Sequence, residues 1–468
     1  MRRLFALVCT IGFVLCAFSQ AKYVFYMIGD GMGANEVLAA EMYLAELDGK
    51  IGRKQLCMTQ FPYSGQASTF SASNGITDSS AAGTCLASGK KTTNHVLGQT
   101  PDGKPVQTIA EILRDKGWGV GIMTSVSIDH ATPGAFYAKS QSRSDYYQIG
   151  VQLAQSGFDF FGGGTFYQPY DKKNPESKNV YNLCRHSGYT FAHGYEEYRS
   201  LDPEQTKRVI LIQEFEGRED TYLGKGMLPY ALDKKKEDLT LPQITTAAID
   251  FLSRQDRPFF VMVEGGAIDW ACHSNDGATV IGEVIEFDEA IRKAFEFYKE
   301  HPDETLIVVT ADHETGGMAL GNSNYTLNLQ ALKYQKGSLD RLSDDVKALQ
   351  AQYGKKLKWQ QVKDLFTARL GLYGPVEVTK EEDAELQQCF RDMMKNKSAD
   401  QKTLYSSLSA LSFKAVQLLN KKAKLGWTTR SHSASAVPVF AIGVGAERFS
   451  GWHDNSELMP LILKCTGN

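Results

Sequence analysis

Acids and histidines follow the apolar runs of this 468-residue chain in a recurring pattern. The run 258–263 empties into Glu264, Gly265, Gly266, Asp269 and His273. The run 23–28 leads into Gly29-Asp30-Gly31-Met32-Gly33, and the run 120–123 into Asp129-His130-Ala131-Thr132-Pro133. Asp312 and His313 follow the run 306–309, while Thr429-Arg430-Ser431-His432-Ser433 precedes the run 437–442. Histidine with carboxylate, without cysteine, is a donor set for zinc and magnesium. Asp269 and His273 are four residues apart, which puts them on one face of a helix. Glycines beside Asp30 and Glu264 let the backbone come close to an ion. Each cluster alone also reads as a turn, a cap or a surface pair; five together argue for a metal centre.

A different pattern lies at Thr77-Asp78-Ser79-Ser80-Ala81-Ala82-Gly83-Thr84. It reads as a helix start built on small side chains, where backbone N–H groups welcome an oxyanion. A serine there, beside divalent cations, can lose its proton and attack phosphorus. Alone, the octet is equally a plain helix cap. Arg143, in Ser142-Arg143-Ser144-Asp145-Tyr146, offers a planar fork for two phosphate oxygens, or is simply a solvated charge.

These groups need a scaffold that brings them together. The five apolar runs are continuous rather than alternating, which suits strands buried on both faces. Amphipathic stretches between them predict an α/β fold, a mostly parallel sheet with helices on both faces. Ligands in such sheets bind at the carboxyl ends of the strands. Four of the five clusters lie at those ends, and the fifth reaches the same edge through its loop. Residues 165–235 read as loop-rich. Residues 322–425, polar and lysine-rich with a helical pattern, read as an insertion in one domain spanning 20–468.

Composition narrows the setting. Hydrophobic residues make up 42% of the chain, ample for a large core, and the net charge of −3 gives no reason to expect a nucleic-acid surface. Arg2 and Arg3 precede an apolar run 4–18 and small residues at 19–21, the pattern of a signal peptide over 1–19. The run is short for a membrane span, so the expectation is an exported protein, periplasmic or secreted. Cys16 raises a lipoprotein alternative, which the bulky Leu15 disfavours. Cys57, Cys85, Cys184, Cys272, Cys389 and Cys465 remain after such a cut, with no CxxC spacing and no readable pairing.

With these residues assembled, the chain resembles the alkaline phosphatase family. The resemblance rests on GDGMG, TDSSAAGT, HATPGAF, VEGGAIDW, TADHETGG and GWTTRSHS, in that order. It implies hydrolysis of phosphate monoesters at alkaline pH through a phosphoserine, with two zinc ions and one magnesium ion, and often a homodimer. Ser79 then matches the nucleophile and Arg143 the phosphate clamp. Asp269, His273 and His432 match the first zinc site; Asp30, Asp312 and His313 match the second. Glu264 and Thr132, with Asp30 bridging, match the magnesium site. His130 and Trp270 stand where the best-known bacterial member has aspartate and lysine, near the third ion and the phosphate path. Ser80 follows the nucleophile position where alanine is common, so the serine register stays open by one residue. A sulfatase would need a C/S-x-P-x-R context, which is absent, and a phosphodiesterase would usually lack the third-ion set. A binding protein without turnover would not need Ser79 and Arg143.

Overall fold

The computed structural model describes residues 20–213, 226–322, 324–395, 400–403 and 405–467. The signal-peptide reading of 1–19 lies outside them. Among the described residues no helix is long and apolar enough to cross a membrane, and no two cysteines are joined in a disulfide.

The apolar runs form strands β1 (Tyr23–Gly29), β3 (Gly119–Thr124), β7 (Phe259–Glu264) and β8 (Thr305–Ala311). β2 is Tyr63–Ser68, β4 Phe160–Gly163, β5 Thr190–His193 and β6 Val209–Ile212. With Val437–Gly443 and Gly451–Asp454 they make one ten-stranded sheet. Its order is Gly451–Asp454, β2, Val437–Gly443, β8, β1, β7, β3, β4, β6, β5. Every pairing is parallel except the two made by Val437–Gly443.

Successive residues along a strand point to opposite faces, and both faces of this sheet are covered. Tyr26 and Phe260 meet Phe136 on one side, while Phe25 and Phe259 meet Phe297 on the other. Phe297 belongs to the long helix Gly277–Glu300. Burial on both faces is why these strands read as unbroken apolar runs rather than alternating ones.

Register decides where the strands end. Ile28 lies opposite both Glu264 and Thr310, and Thr124 opposite Glu264. Four strands therefore stop at one level, with Asp30, Glu264 and Asp312 at their tips. Val437–Gly443 runs the other way, with Phe440 opposite Val309. Its first residue, not its last, sits at this edge, so the segment before it delivers His432 there.

The loop-rich reading of 165–235 needs correction. That stretch contains β5 and β6 and the helices Val180–His186 and Tyr195–Ser200. Four-residue strands framed by turns are too short to show a period. The 322–425 stretch forms helices at Leu339–Tyr353, Trp359–Leu370, Lys380–Met394 and Ala410–Ala423.

Candidate active site

Ser79 opens the helix Ser79–Ser88, capped by Asp78, whose side chain accepts from the Ala81 N–H at 3.0 Å. Every residue of this helix is buried. Gly83 explains the small residues: a Cβ there would meet Ala135 Cβ at 3.2 Å and Thr132 Cα at 3.3 Å. Glycine inside a helix costs roughly 0.5–1 kcal/mol; here it lets the helix lie against the turn carrying Thr132. Ser80 Oγ donates to Asp78 Oδ2 at 2.7 Å, whereas Ser79 Oγ lies 3.2 Å from His313 Nε2. Ser79 alone faces the cluster of acids and histidines.

That cluster contains three groups, in each of which the donor atoms lie within 4.8 Å of one another: Asp269, His273 and His432; Asp30, Asp312 and His313; and Asp30, His130 and Glu264, the last two sharing Asp30. His273 Nε2 is 3.4 Å from Asp269 Oδ2, and His313 Nε2 is 3.4 Å from both Asp30 Oδ1 and Asp312 Oδ2. Thr132 Oγ1 donates to Asp30 Oδ2 at 3.4 Å. The third group adds His130 to the expected Glu264 and Asp30, with Thr132 reached through Asp30.

Whether metal ions suit these residues can be judged from the hydrogen bonds. His273 Nδ1 is 2.7 Å from the Arg430 carbonyl and His432 Nδ1 is 2.8 Å from the Thr77 carbonyl. A carbonyl only accepts, so both Nδ1 atoms carry a proton, and in the neutral rings that bind a cation both Nε2 atoms are bare lone pairs. Those two Nε2 atoms are 3.2 Å apart. Two facing lone pairs repel unless a cation joins them. Asp30 Oδ1, Glu264 Oε1, Asp269 Oδ2 and Asp312 Oδ2 are buried without a hydrogen-bond partner. Burial, then the neighbouring carboxylates, pushes Asp30 and Asp312 well above the usual range. Burial raises Glu264 to about 7. At Asp269 burial is outweighed by His273, His432 and His313, which hold it low. Buried carboxylates this close need cations, and the donor chemistry fits hard divalent ions.

Gly31 has φ +72, and a Cβ there would meet Asp269 Cα at 2.9 Å. Its N–H donates to Asp312 Oδ1 at 3.2 Å. Thr315 Oγ1 donates to Asp269 Oδ1 at 2.6 Å and lies 3.2 Å from His313 Nδ1, linking two of the groups. His432 and Ser433 pair with Thr315 and Glu314 in a short antiparallel ribbon. The histidine delivered by the reversed strand is thus tied to the segment after β8.

Against the capping Asp78 stands Arg143, 8% exposed. Its Nη1 donates to Asp78 Oδ2 at 3.2 Å; its Nη2 lies 3.4 Å from His130 Nε2 and 3.2 Å from Tyr405 Oη. Burial first, and Arg143 second, push His130 down to about 3, so its neutral ring can accept from the guanidinium. Trp270, buried, stacks on Tyr405 with ring centroids 4.2 Å apart at 11°. All the residues singled out in the sequence converge on one edge of the sheet. Sequence reasoning did not find Tyr405, 262 residues from Arg143, and took Asp78 for a cap alone.

The alkaline phosphatase family model matches residues 21–467. The chain belongs to the alkaline phosphatase family. It is 29% identical to alkaline phosphatase 4 of Bacillus subtilis over 458 residues, covering 95% of this chain and 89% of that one. Alkaline phosphatase 3 of the same organism is also 29% identical, over 455 residues, with the same coverage. The crystal structure of a cold-active alkaline phosphatase from a psychrophilic Shewanella superposes with a TM-score of 0.78 at 26% identity. That superposition covers 95% of this chain and 99% of the other. As a member of the alkaline phosphatase family the chain is a phosphatase of small phosphate esters that works with metal ions.

Proposed function

We propose that the chain hydrolyses phosphate monoesters at alkaline pH through a phosphoserine on Ser79, with two zinc ions and one magnesium ion. One observation carries this reading: Ser79 Oγ faces the acid–histidine cluster, while the guanidinium of Arg143 is anchored on the capping Asp78. Asp269, His273 and His432 would hold one zinc, and Asp30, Asp312 and His313 the other. Glu264, Thr132 and Asp30 would hold magnesium, with His130 beside them. Bound divalent cations lower the proton affinity of an oxygen nucleophile and stabilise charge on attacking and departing oxygens.

The chain's own groups do the rest. Ser79 Oγ forms a bond to phosphorus as the ester P–O bond breaks and the alcohol leaves with a proton. Water then attacks the phosphoserine, releasing phosphate and restoring the serine. Arg143 and the N–H groups at the start of the Ser79–Ser88 helix hold the remaining phosphoryl oxygens. Asp78 and Tyr405 keep the guanidinium in place. Recognition concentrated on the phosphoryl group supports activity on many monoesters, including p-nitrophenyl phosphate.

The same reading takes 1–19 as a signal peptide, the mature chain as exported, 20–468 as one domain decorated by 322–425, and the assembly as a homodimer. A chelator should abolish p-nitrophenyl phosphate turnover, and zinc with magnesium should restore it. Acid-quenched Ser79→Ala should yield no phosphoenzyme. Full activity in the chelator would defeat the metal assignment. A phosphoenzyme lost in Ser80→Ala but kept in Ser79→Ala would move the nucleophile by one residue.

A further inference from the structure

The cavity lined by Asp78, Arg143, His273 and His432 is about 940 Å³, the size of pockets that enclose a whole drug-sized molecule, about 300–1,000 Å³. A phosphoryl group fills a small part of it. The rest is room for the leaving alcohol, and among its polar lining stand the rings of Tyr146, Tyr167, Trp270 and Tyr405. Tyr146 and Tyr167 pack with centroids 4.6 Å apart, and His130 stacks on Tyr146 at 6.5 Å and 23°. The Trp270–Tyr405 stack continues the wall beyond His130.

Tyr167 is the unusual member. It lines the cavity yet is 46% exposed, so core packing does not account for its ring. Its backbone is nevertheless fixed. Asp129, itself fully buried, accepts the Tyr167 N–H at 2.9 and 3.0 Å and the Gln168 N–H at 3.2 Å. Asp129 adjoins His130, so a buried carboxylate pins the Tyr167 backbone beside the phosphate path. Burying a carboxylate is costly unless its hydrogen bonds are made; here they are spent on placing an exposed aromatic residue. Trp270, 4% exposed, lines the same cavity, with its indole N–H buried behind the ring.

We propose that this phosphatase favours monoesters whose leaving alcohol carries a planar aromatic ring, with Tyr167 as the outer face of the subsite. The proposal rests on the phosphomonoesterase reading above and adds a substrate class to it. A planar ring in this space finds an aromatic face on the Tyr146–Tyr167 side and another on the Trp270–Tyr405 side, and stacking of this kind needs no particular ring. Nucleoside 5′-monophosphates and aryl-bearing alkyl phosphates share this chemistry.

The test uses pairs of esters with like leaving oxygens. Adenosine 5′-monophosphate and ribose 5-phosphate differ by the base; benzyl phosphate and cyclohexylmethyl phosphate differ by planarity. For the wild-type enzyme loaded with zinc and magnesium, kcat/KM should favour the aromatic member of each pair by about tenfold, the scale of one stacked ring. The difference should appear in KM rather than kcat. Tyr167→Ala should bring the ratios close to one, and Tyr167→Phe should keep them. Preference in the adenosine pair alone would assign the subsite to nucleotides; preference in both would assign it to planar rings at large. Wild-type ratios near one, or ratios that survive Tyr167→Ala, would overturn the proposal. Failure to hydrolyse any of the four esters would instead overturn the phosphomonoesterase reading, and this one with it.

Discussion

The inner and outer halves of the site are built differently. The inner half, around Ser79, takes Asp30, Glu264 and Asp312 from the tips of parallel strands whose register aligns their ends. The core that packs the strands also sets these distances. The outer half takes Arg143, Tyr146 and Tyr167 from loops and helix starts, and Tyr405 from the stretch between helices Lys380–Met394 and Ala410–Ala423. Its geometry depends on a few hydrogen bonds between loops, such as Arg143 to Asp78 and the Tyr167 and Gln168 N–H groups to Asp129. The inner half is therefore rigid by construction, and the outer half is where members of one fold can differ in what they accept.

Arg143→Ala should separate the halves most sharply. Removing a preorganised donor to the phosphoryl oxygens typically costs about 10²–10³ in kcat, and zinc content by metal analysis should not change. A loss of metal would show that the two halves are not independent. Thr315→Val should do the converse. Thr315 Oγ1 bridges Asp269 and His313, and losing such an outer partner costs about 10–100-fold in metal affinity or activity. Titration with a competing chelator reads it; unchanged affinity would remove Thr315 from the account.

Tyr405→Phe deletes only the hydroxyl beside Arg143. One hydrogen bond is worth about 0.5–1.5 kcal/mol, so kcat/KM should fall about two- to thirteenfold while the Trp270 stack survives. No change would mean that Asp78 alone fixes the guanidinium. Another effect, on stability rather than turnover, concerns neither half. Burial, then Glu286, raises Glu283 to about 8, and its carboxylate accepts the Ala231 N–H at 2.6 Å. The folded state therefore holds a proton that the unfolded chain releases near pH 4.5. This contribution favours folding at low pH and is lost as pH rises towards about 8. Urea unfolding at several pH values should show that decline in wild type and a flatter profile in Glu283→Gln.

The inner half was legible in the sequence because each strand is a buried apolar run and each tip carries its acids and histidines within a few residues. His432 stood out as a candidate ligand from the motif it belongs to, but the reversal that delivers it to this edge shows only in the pairing of Val437–Gly443 with β8. The outer half was less legible. Tyr405 has no neighbouring signal, since a tyrosine in a polar helical stretch is ordinary until the fold closes over Arg143. Asp78 looked like a cap, and it is one through Oδ1; its Oδ2 also takes Ser80 and Arg143. The short strands β5 and β6 failed for another reason: four residues between turns show no period.

The central claim is that aligned strand tips and one reversed strand assemble cation sites around Ser79. Diffraction from zinc-loaded crystals, recorded on both sides of the zinc absorption edge, tests it directly. Two anomalous peaks should flank Ser79 Oγ, one bound by Asp269, His273 and His432 and the other by Asp30, Asp312 and His313. No zinc peak within reach of Ser79, or a peak that leaves His432 or Asp312 unbound, would contradict it.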